Sequence, residues 1–280
     1  MRPGSGGVHS GPGRLRVWPV EAGSDRSTLG RVPEEWRGRV LIVVPAWNEE
    51  DCVADTLHEI RAAMPSADVV VVDDGSTDRT ADRARSAGAA VIQLPFNLGV
   101  GGAMRAGFRY GVRHGYDAVV QVDADGQHDP REIPSLLSAL ADADVVIGAR
   151  FADRGDAYRV RGPRWWAMVV LARTLSRVAR TPLTDTTSGF RASGRAAMEL
   201  FARYYPVEYL GDTVESLVIA VRSGCRVAQV PVHMRPRRGG TPSHNPAKAL
   251  VYLLRANLAL GLALIRRWSA APSYVDEKTL

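Results

Sequence analysis

Residues 40–150 predict an α/β fold, a mostly parallel sheet with helices on both faces. Three observations carry this expectation. Short runs rich in β-branched residues recur at 40–44, 69–72, 90–94, 118–122 and 145–148, apolar at successive positions as in strands buried on both sides. Helical patterns at 49–64, 78–87, 99–114 and 130–140 separate them. Polar clusters then follow successive strands: Asn48, Asp73 with Asp74, Asn97, and Asp123 with Asp125. Ligands of such sheets bind beyond the carboxyl ends of the strands, so these clusters share the binding edge. Turn chemistry alone does not account for four of them there.

The first strand, 40–44, runs into Pro45-Ala46-Trp47-Asn48-Glu49, and the first helix follows. The second, 69–72, ends in Asp73-Asp74-Gly75-Ser76-Thr77-Asp78. Ser76 or Thr77 can cap the helix 78–87, but a cap uses one residue and leaves the adjacent aspartates unexplained. Paired carboxylates at a strand end can accept hydrogen bonds from a nucleobase or ribose. After the third strand comes Asn97-Leu98-Gly99-Val100-Gly101-Gly102. This segment, Gly102 included, reads either as a glycine-rich phosphate loop or as close helix packing, and it lacks the Lys-Ser/Thr of a P-loop.

The fourth strand ends in Asp123-Ala124-Asp125-Gly126-Gln127-His128-Asp129-Pro130. In extended chain the Asp123 and Asp125 side chains share a face. Both can then hold Mg²⁺ or Mn²⁺ while substrate phosphate oxygens complete the coordination. The alternative is a solvated acidic turn. Their place on the same edge as Asn48 and Asp74 favours the clamp.

Beyond residue 150 the patterns lengthen. Residues 163–179 form an amphipathic helix with Trp165, Trp166 and Met168 near its start and Arg173 and Arg177 later, followed by Arg180. It is either a packed surface helix or one lying on a membrane. Residues 184–191 read as a polar loop before another helix. Asp212 and Glu215 stand three apart and share a helical face; Asp212 is either a catalytic base or a helix cap. The apolar run 249–265 contains Arg255 and Asn257 and is shorter than the roughly 20 residues needed to span a bilayer. It reads as a buried or interfacial helix.

With 280 residues and 45% hydrophobic content, the chain can bury a large core. Three segments are expected: a flexible tail over 1–38, rich in Gly, Pro, Ser and Arg; one domain over 39–268; and a short tail over 269–280. The first tail lacks the apolar core of a secretory signal, so a cytoplasmic location is expected. Cys52 and Cys225 show no metal-ligand spacing and read as small buried residues. A net charge of +6 suits phosphates, anionic lipid or nucleic acid. No basic stripe with interleaved aromatics is present, which argues against nucleic acid.

The motifs 45–49, 73–78 and 123–128, in this order, resemble those of family 2 glycosyltransferases. Within that family the chain is most similar to dolichyl or polyprenyl phosphate sugar synthases, over about residues 39–268. The resemblance implies the GT-A fold, a Rossmann-like, mostly parallel sheet with helices on both faces and a helical C-terminal acceptor region. It also implies a nucleotide-diphosphate sugar donor bound by Pro45, Ala46, Trp47, Glu49, Asp73, Asp74, Asp123, Ala124, Asp125 and Arg150. Trp47 stands where tyrosine is usual, keeping a stacking surface without the phenol hydroxyl. Asp123, Asp125 and Gln127 are the implied ligands of Mg²⁺ or Mn²⁺. Asp185, Ser188 and Arg191 fall in the acceptor-side element. Residues 237–244 match a basic loop that closes over the pyrophosphate, with Arg238 stabilising the leaving group and His244 where lysine is common. Asp212, then Glu215, matches the catalytic base.

The function expected is inverting, metal-dependent transfer of a hexose from a GDP- or UDP-sugar to polyprenyl phosphate at the inner face of the membrane. A hydroxyl acceptor on a glycan, glycolipid or secondary metabolite is the alternative with the same donor chemistry. Alternatives of other classes are a non-catalytic nucleotide-sugar binding module and a nucleotidyltransferase. The chain has Pro45-Ala46-Trp47-Asn48-Glu49 where nucleotidyltransferases carry a basic glycine-rich loop.

Overall fold

A computed structural model describes residues 38–150, 163–207 and 212–237, without the side chains of 163–168. The two tails, Arg238, His244 and the run 249–265 lie outside the described residues, as do the tryptophan side chains at 165 and 166.

The five expected strands form as β1 (Val40–Ala46), β2 (Asp68–Asp73), β3 (Ala90–Gln93), β4 (Ala118–Gln121) and β5 (Val145–Ala149). Between them lie α1 (Val53–Ala63), α2 (Thr80–Ser86), α3 (Val100–Arg113) and α4 (Ile133–Ala139), the last preceded by a 3-10 turn at Pro130–Glu132. Each helix begins later than the periodicity suggested, α3 by a single residue, behind Gly99 at φ +81°. Neither Ser76 nor Thr77 caps α2. Its N-cap is Arg79, and Asp78, one residue earlier, accepts from the first helical amide, that of Thr80, at 2.9 Å.

The later segment adds α5 (Pro163–Ala179), β6 (Arg191–Gly194), α6 (Arg195–Tyr204), α7 (Asp212–Arg222) and β7 (Val227–Pro231). The seven strands are ordered β3-β2-β1-β4-β6-β5-β7. β6 pairs antiparallel with β4 and with β5, and every other pairing is parallel. The expected mostly parallel sheet is therefore present, with β6 and β7 as additions. Only four residues of β6 pair, Arg191 to Gly194, too few for the alternation that marks a strand in sequence.

Valine and isoleucine along β1 alternate between two apolar layers. Leu41 and Val43 pack with Met104, Phe108, Met198 and Phe201, while Ile42 and Val44 pack with Leu57, Ile60, Leu136 and Leu137. A sheet buried on both faces leaves only its strand ends for polar work. The glycines of α3 serve the first layer: a Cβ at Gly101 would lie 2.2 Å from the Pro206 carbonyl oxygen, and one at Gly102 would lie 2.4 Å from Leu98 Cβ. Of the two readings of this glycine segment, close packing accounts for Gly102. Cys52 is buried and Cys225 half-buried. Among the described residues no helix is long and apolar enough to cross a membrane.

Candidate active site

The carboxyl ends of β1, β2 and β4 meet at a cleft of about 200 Å³. Pro45, Ala46, Trp47 and Glu49 form one wall, and Asp123, Ala124 and Asp125 another. Asp74, Asn97, Gly99 and Arg237 complete it with two α3 residues, Val100 and Ala103. Sequence reasoning thus brought together most of the lining from three separate segments. Trp47 is 46% exposed, a large apolar side chain left in solvent beside polar groups.

Loop-to-loop hydrogen bonds hold this edge. Asn48, at φ +53°, accepts from the Thr77 amide at 2.9 Å and donates its own amide to Ser76 at 3.0 Å. The Glu49 amide donates to Thr80 Oγ1 at 2.8 Å. The polar run after β2 therefore stitches two loops together. Its two aspartates divide the work. Asp73 is turned into the sheet edge, accepting from Ser76 and from Gln93 at 3.2 Å each. Asp74 lines the cleft and accepts from the Leu98 amide at 2.7 Å, which fixes the loop leading into α3. Burial, with Asp73 adding to it, pushes the Asp74 carboxyl up despite the amides at Leu98 and Gly99.

The turn after β4 is equally built. Asp125 accepts from the Gln127 amide at 2.9 Å, and Gln121 Nε2 donates to Asp123 Oδ1 at 2.9 Å. A strap over residues 232–237 runs alongside, with the Arg235 amide donating to the Gln127 carbonyl at 2.9 Å. From this strap Arg237 reaches Glu49 at 2.5 Å and Asp125 at 3.3 Å. Arg235 pairs with Glu59 and, at 2.7 Å, with Asp129. The sequence motif pointed to Arg238; the cleft residue among those described is its neighbour Arg237. Arginines two apart in extended chain face the same acidic surface, a signal that was present in Arg235-Pro236-Arg237.

The carboxylates feel one another. Burial pushes Glu49 up to about 7, with Asp125, Asp123 and Asp78 adding to the rise and Arg237 opposing it. Burial likewise raises Asp125, and the Asp123 charge raises it further. One buried oxygen, Glu49 Oε2, has no hydrogen-bond partner among the described residues. These are hard oxygen donors whose crowded negative charge Arg237 offsets only in part, the donor set that suits Mg²⁺ or Mn²⁺. Asp123 and Asp125 therefore fit a divalent cation. No group of three His, Cys, Asp or Glu side chains forms a ready cage among the described residues, and Mg²⁺ ordinarily takes one or two carboxylates plus phosphate oxygens and water. Gln127 contributes its main chain to the turn.

On the other side of β4, Arg150 grips Asp185 with two prongs, Nε to Oδ2 at 2.7 Å and Nη2 to Oδ1 at 3.0 Å. Ser188 closes its own turn, its Oγ accepting from the Phe190 amide at 3.3 Å. Arg191 is buried and ties the loop to α7, donating to the carbonyls of Thr186, Ser188 and Thr213 at 2.8 Å each. Asp212 opens α7 and is 4% exposed. Burial pushes it up to about 6, with Arg191 opposing and Asp123 adding. Asp212 and Glu215 share the first turn of α7, outside the lining of the cleft.

Comparison with known proteins bears on this arrangement. The model of the family Glycosyl transferase family 2 matches residues 41–201. The undecaprenyl-phosphate mannosyltransferase of Micrococcus luteus is 35% identical over 72% of this chain and 86% of its own. The polyprenol monophosphomannose synthase of Mycolicibacterium smegmatis is 32% identical over 72% of this chain and 79% of its own. Among solved structures, glucosyl-3-phosphoglycerate synthase of Mycobacterium tuberculosis in complex with UDP superposes with a TM-score of 0.63 at 22% identity, covering 83% of this chain and 82% of the other. That likeness concerns the fold alone, which is the GT-A fold of glycosyltransferases.

Proposed function

Because the chain belongs to glycosyl transferase family 2 and is a glycosyltransferase, we propose that it moves one hexose from a nucleotide-diphosphate sugar to polyprenyl phosphate, inverting the anomeric carbon with the help of a divalent cation. The observation that carries this reading is the convergence of Trp47, Asp74, Asp123, Asp125 and Arg237 on one cleft at the strand ends. Its support for the acceptor is the pair of relatives named as undecaprenyl- and polyprenol-phosphate enzymes.

Trp47 offers an exposed ring on which a nucleobase stacks. Asp74, held by the Leu98 amide, stands at the same wall for the ribose or base. Asp123 and Asp125 would hold the cation, which when bound there would supply positive charge to stabilise the leaving diphosphate. Arg237 already bridges Glu49 and Asp125 and brings the chain's own positive charge to the same point. Arg150, oriented by Asp185, presents a guanidinium to the donor or the transferred phosphate.

A lipid phosphate attacks as an anion and needs no strong base. The burial of Asp212 outside the cleft lining agrees with that requirement. For the lipid surface itself, α5 offers Val170, Arg173 and Arg177 on its exposed side, continued by Arg180, and the helix carries no acidic residue. Such a face suits peripheral contact with an anionic, cytoplasmic membrane leaflet.

The test incubates purified protein with labelled GDP-mannose, UDP-glucose and UDP-N-acetylglucosamine, with polyprenyl phosphate or a panel of free sugars as acceptor. A lipid-linked product cleaved by mild acid is expected. A product that resists mild acid, or one that forms without lipid phosphate, overturns the acceptor assignment.

A further inference from the structure

We infer that His128 is a positioning residue that sets both the main chain and the carboxylate of Asp123 for the donor. The inference rests on reading Asp123 and Asp125 as the cation and diphosphate clamp. His128 is five residues beyond Asp123, yet its ring folds back onto it. Nδ1 accepts from the Asp123 amide at 2.9 Å, and Nε2 stands 3.6 Å from Asp123 Oδ2. With Nδ1 taken by the Asp123 amide, Nε2 is the nitrogen left to face the carboxylate.

The ring cannot drift from this place. Its side chain is 2% exposed, and it stacks on Phe190 with centroids 4.7 Å apart and planes 14° from parallel. Its main chain pairs with Met234 in an isolated antiparallel bridge, which seats the strap carrying Arg237. Asp123 is thereby held from behind through three groups: Oδ1 by Gln121, the amide by Nδ1, and Oδ2 facing Nε2.

The chemistry of the support matters as much as its geometry. A lysine or arginine in this place would neutralise Asp123, as Arg237 partly does for Asp125. An imidazole bonded to the Asp123 main chain, with Nε2 3.6 Å from Oδ2, places the carboxylate without bringing to it the fixed positive charge of a lysine or arginine.

The experiment measures Mn²⁺ affinity by electron paramagnetic resonance, in the presence of GDP and separately of UDP, for wild type, D123N, H128F, H128N and H128Q. Thermal melts check folding. Phenylalanine keeps a ring against Phe190 but offers no nitrogen. Asparagine can place an acceptor where Nδ1 stands, and glutamine a polar atom near Nε2. H128F should weaken Mn²⁺ binding about 10–100-fold, as lost outer supports of metal ligands commonly do, with H128N recovering most of it. An H128F protein with wild-type affinity overturns the inference, and so does an H128N protein no better than H128F. If H128F fails to fold, the comparison of H128N with H128Q decides: equal losses overturn the inference, whereas retention by asparagine alone supports it. D123N separates the two levels. Wild-type Mn²⁺ affinity in D123N removes the clamp itself and the inference with it, whereas a loss in D123N beside normal binding in H128F removes only the role of His128.

Discussion

Gly189 and Asp123 stand so close that a Cβ on the glycine would lie 3.3 Å from an Asp123 carboxylate oxygen. The loop proposed for the acceptor side thus backs directly onto the acid proposed for the donor, and the same Cβ would come within 2.9 Å of Gln121 Nε2. G189A should cost only about 1 kcal/mol of stability, since the end of one side chain must shift. It should lower kcat/KM about tenfold by turning Gln121 off Asp123. Steady-state kinetics with a parallel urea melt checks this, and unchanged kcat/KM would show the contact to be idle.

The Arg150–Asp185 pair has its acid fully buried and its arginine side chain 34% exposed. Burial pushes Asp185 up, but the two-pronged Arg150 guanidinium outweighs it and holds the carboxyl below its usual range. A depressed folded value contributes stability above the unfolded value of about 3.9 and loses it as pH falls below that point. D185N should therefore cost on the order of 2–4 kcal/mol near neutrality, reduced by the exposure of Arg150, and less under acid conditions. Denaturant melts of both proteins at pH 3 and 7 measure the difference. A gap that widens in acid contradicts the assignment.

Asp212 has the opposite sign. Its folded value of about 6, raised by burial against Arg191, lies above the unfolded value of about 3.9. The native chain therefore takes up a proton between these values, and stability falls as pH rises through that window, then levels off. Compared with wild type, D212N should gain relative stability from about pH 4 to about pH 6 and hold the gain above it. A pH-independent difference would mean that the carboxyl is not shifted. Turnover on polyprenyl phosphate should stay within about tenfold of wild type, whereas loss of a required base would cost roughly 10²–10⁴-fold.

The exposed arginines of α5, with Arg180 just beyond it, give a prediction independent of chemistry. Replacing Arg173, Arg177 and Arg180 by serine should lower partitioning onto vesicles with anionic lipid by about 100-fold, at about 1 kcal/mol per arginine near the surface. Co-sedimentation at low and high salt measures it, and the wild-type signal should weaken with salt. Equal partitioning of the two proteins would assign these arginines to solvent alone.

The first five strands were legible because β1, β4, β5 and most of β2 are buried on both faces, while the partly exposed edge strand β3 was marked by its short β-branched run. β6 and β7 were not legible. β6 is four residues long and begins at Arg191, whose charge is met by carbonyls distant in sequence. Asn48, Asp74, Asp123 and Asp125 could be placed on one edge from periodicity alone, whereas Trp47 came from the family resemblance. The inward turn of Asp73 could not, because its partner Gln93 lies on the neighbouring strand. The place of Arg237 in the cleft emerged only with the pairing of the strap against the 123–128 turn.

The most direct test of the clamp is sugar transfer to polyprenyl phosphate by wild type and D125A, measured with Mg²⁺, with Mn²⁺ and with chelator. Wild type should transfer only with a cation, and D125A should lose metal-dependent transfer while keeping a cooperative thermal melt. Transfer by D125A at the wild-type rate, or wild-type transfer undiminished by chelator, would contradict the account.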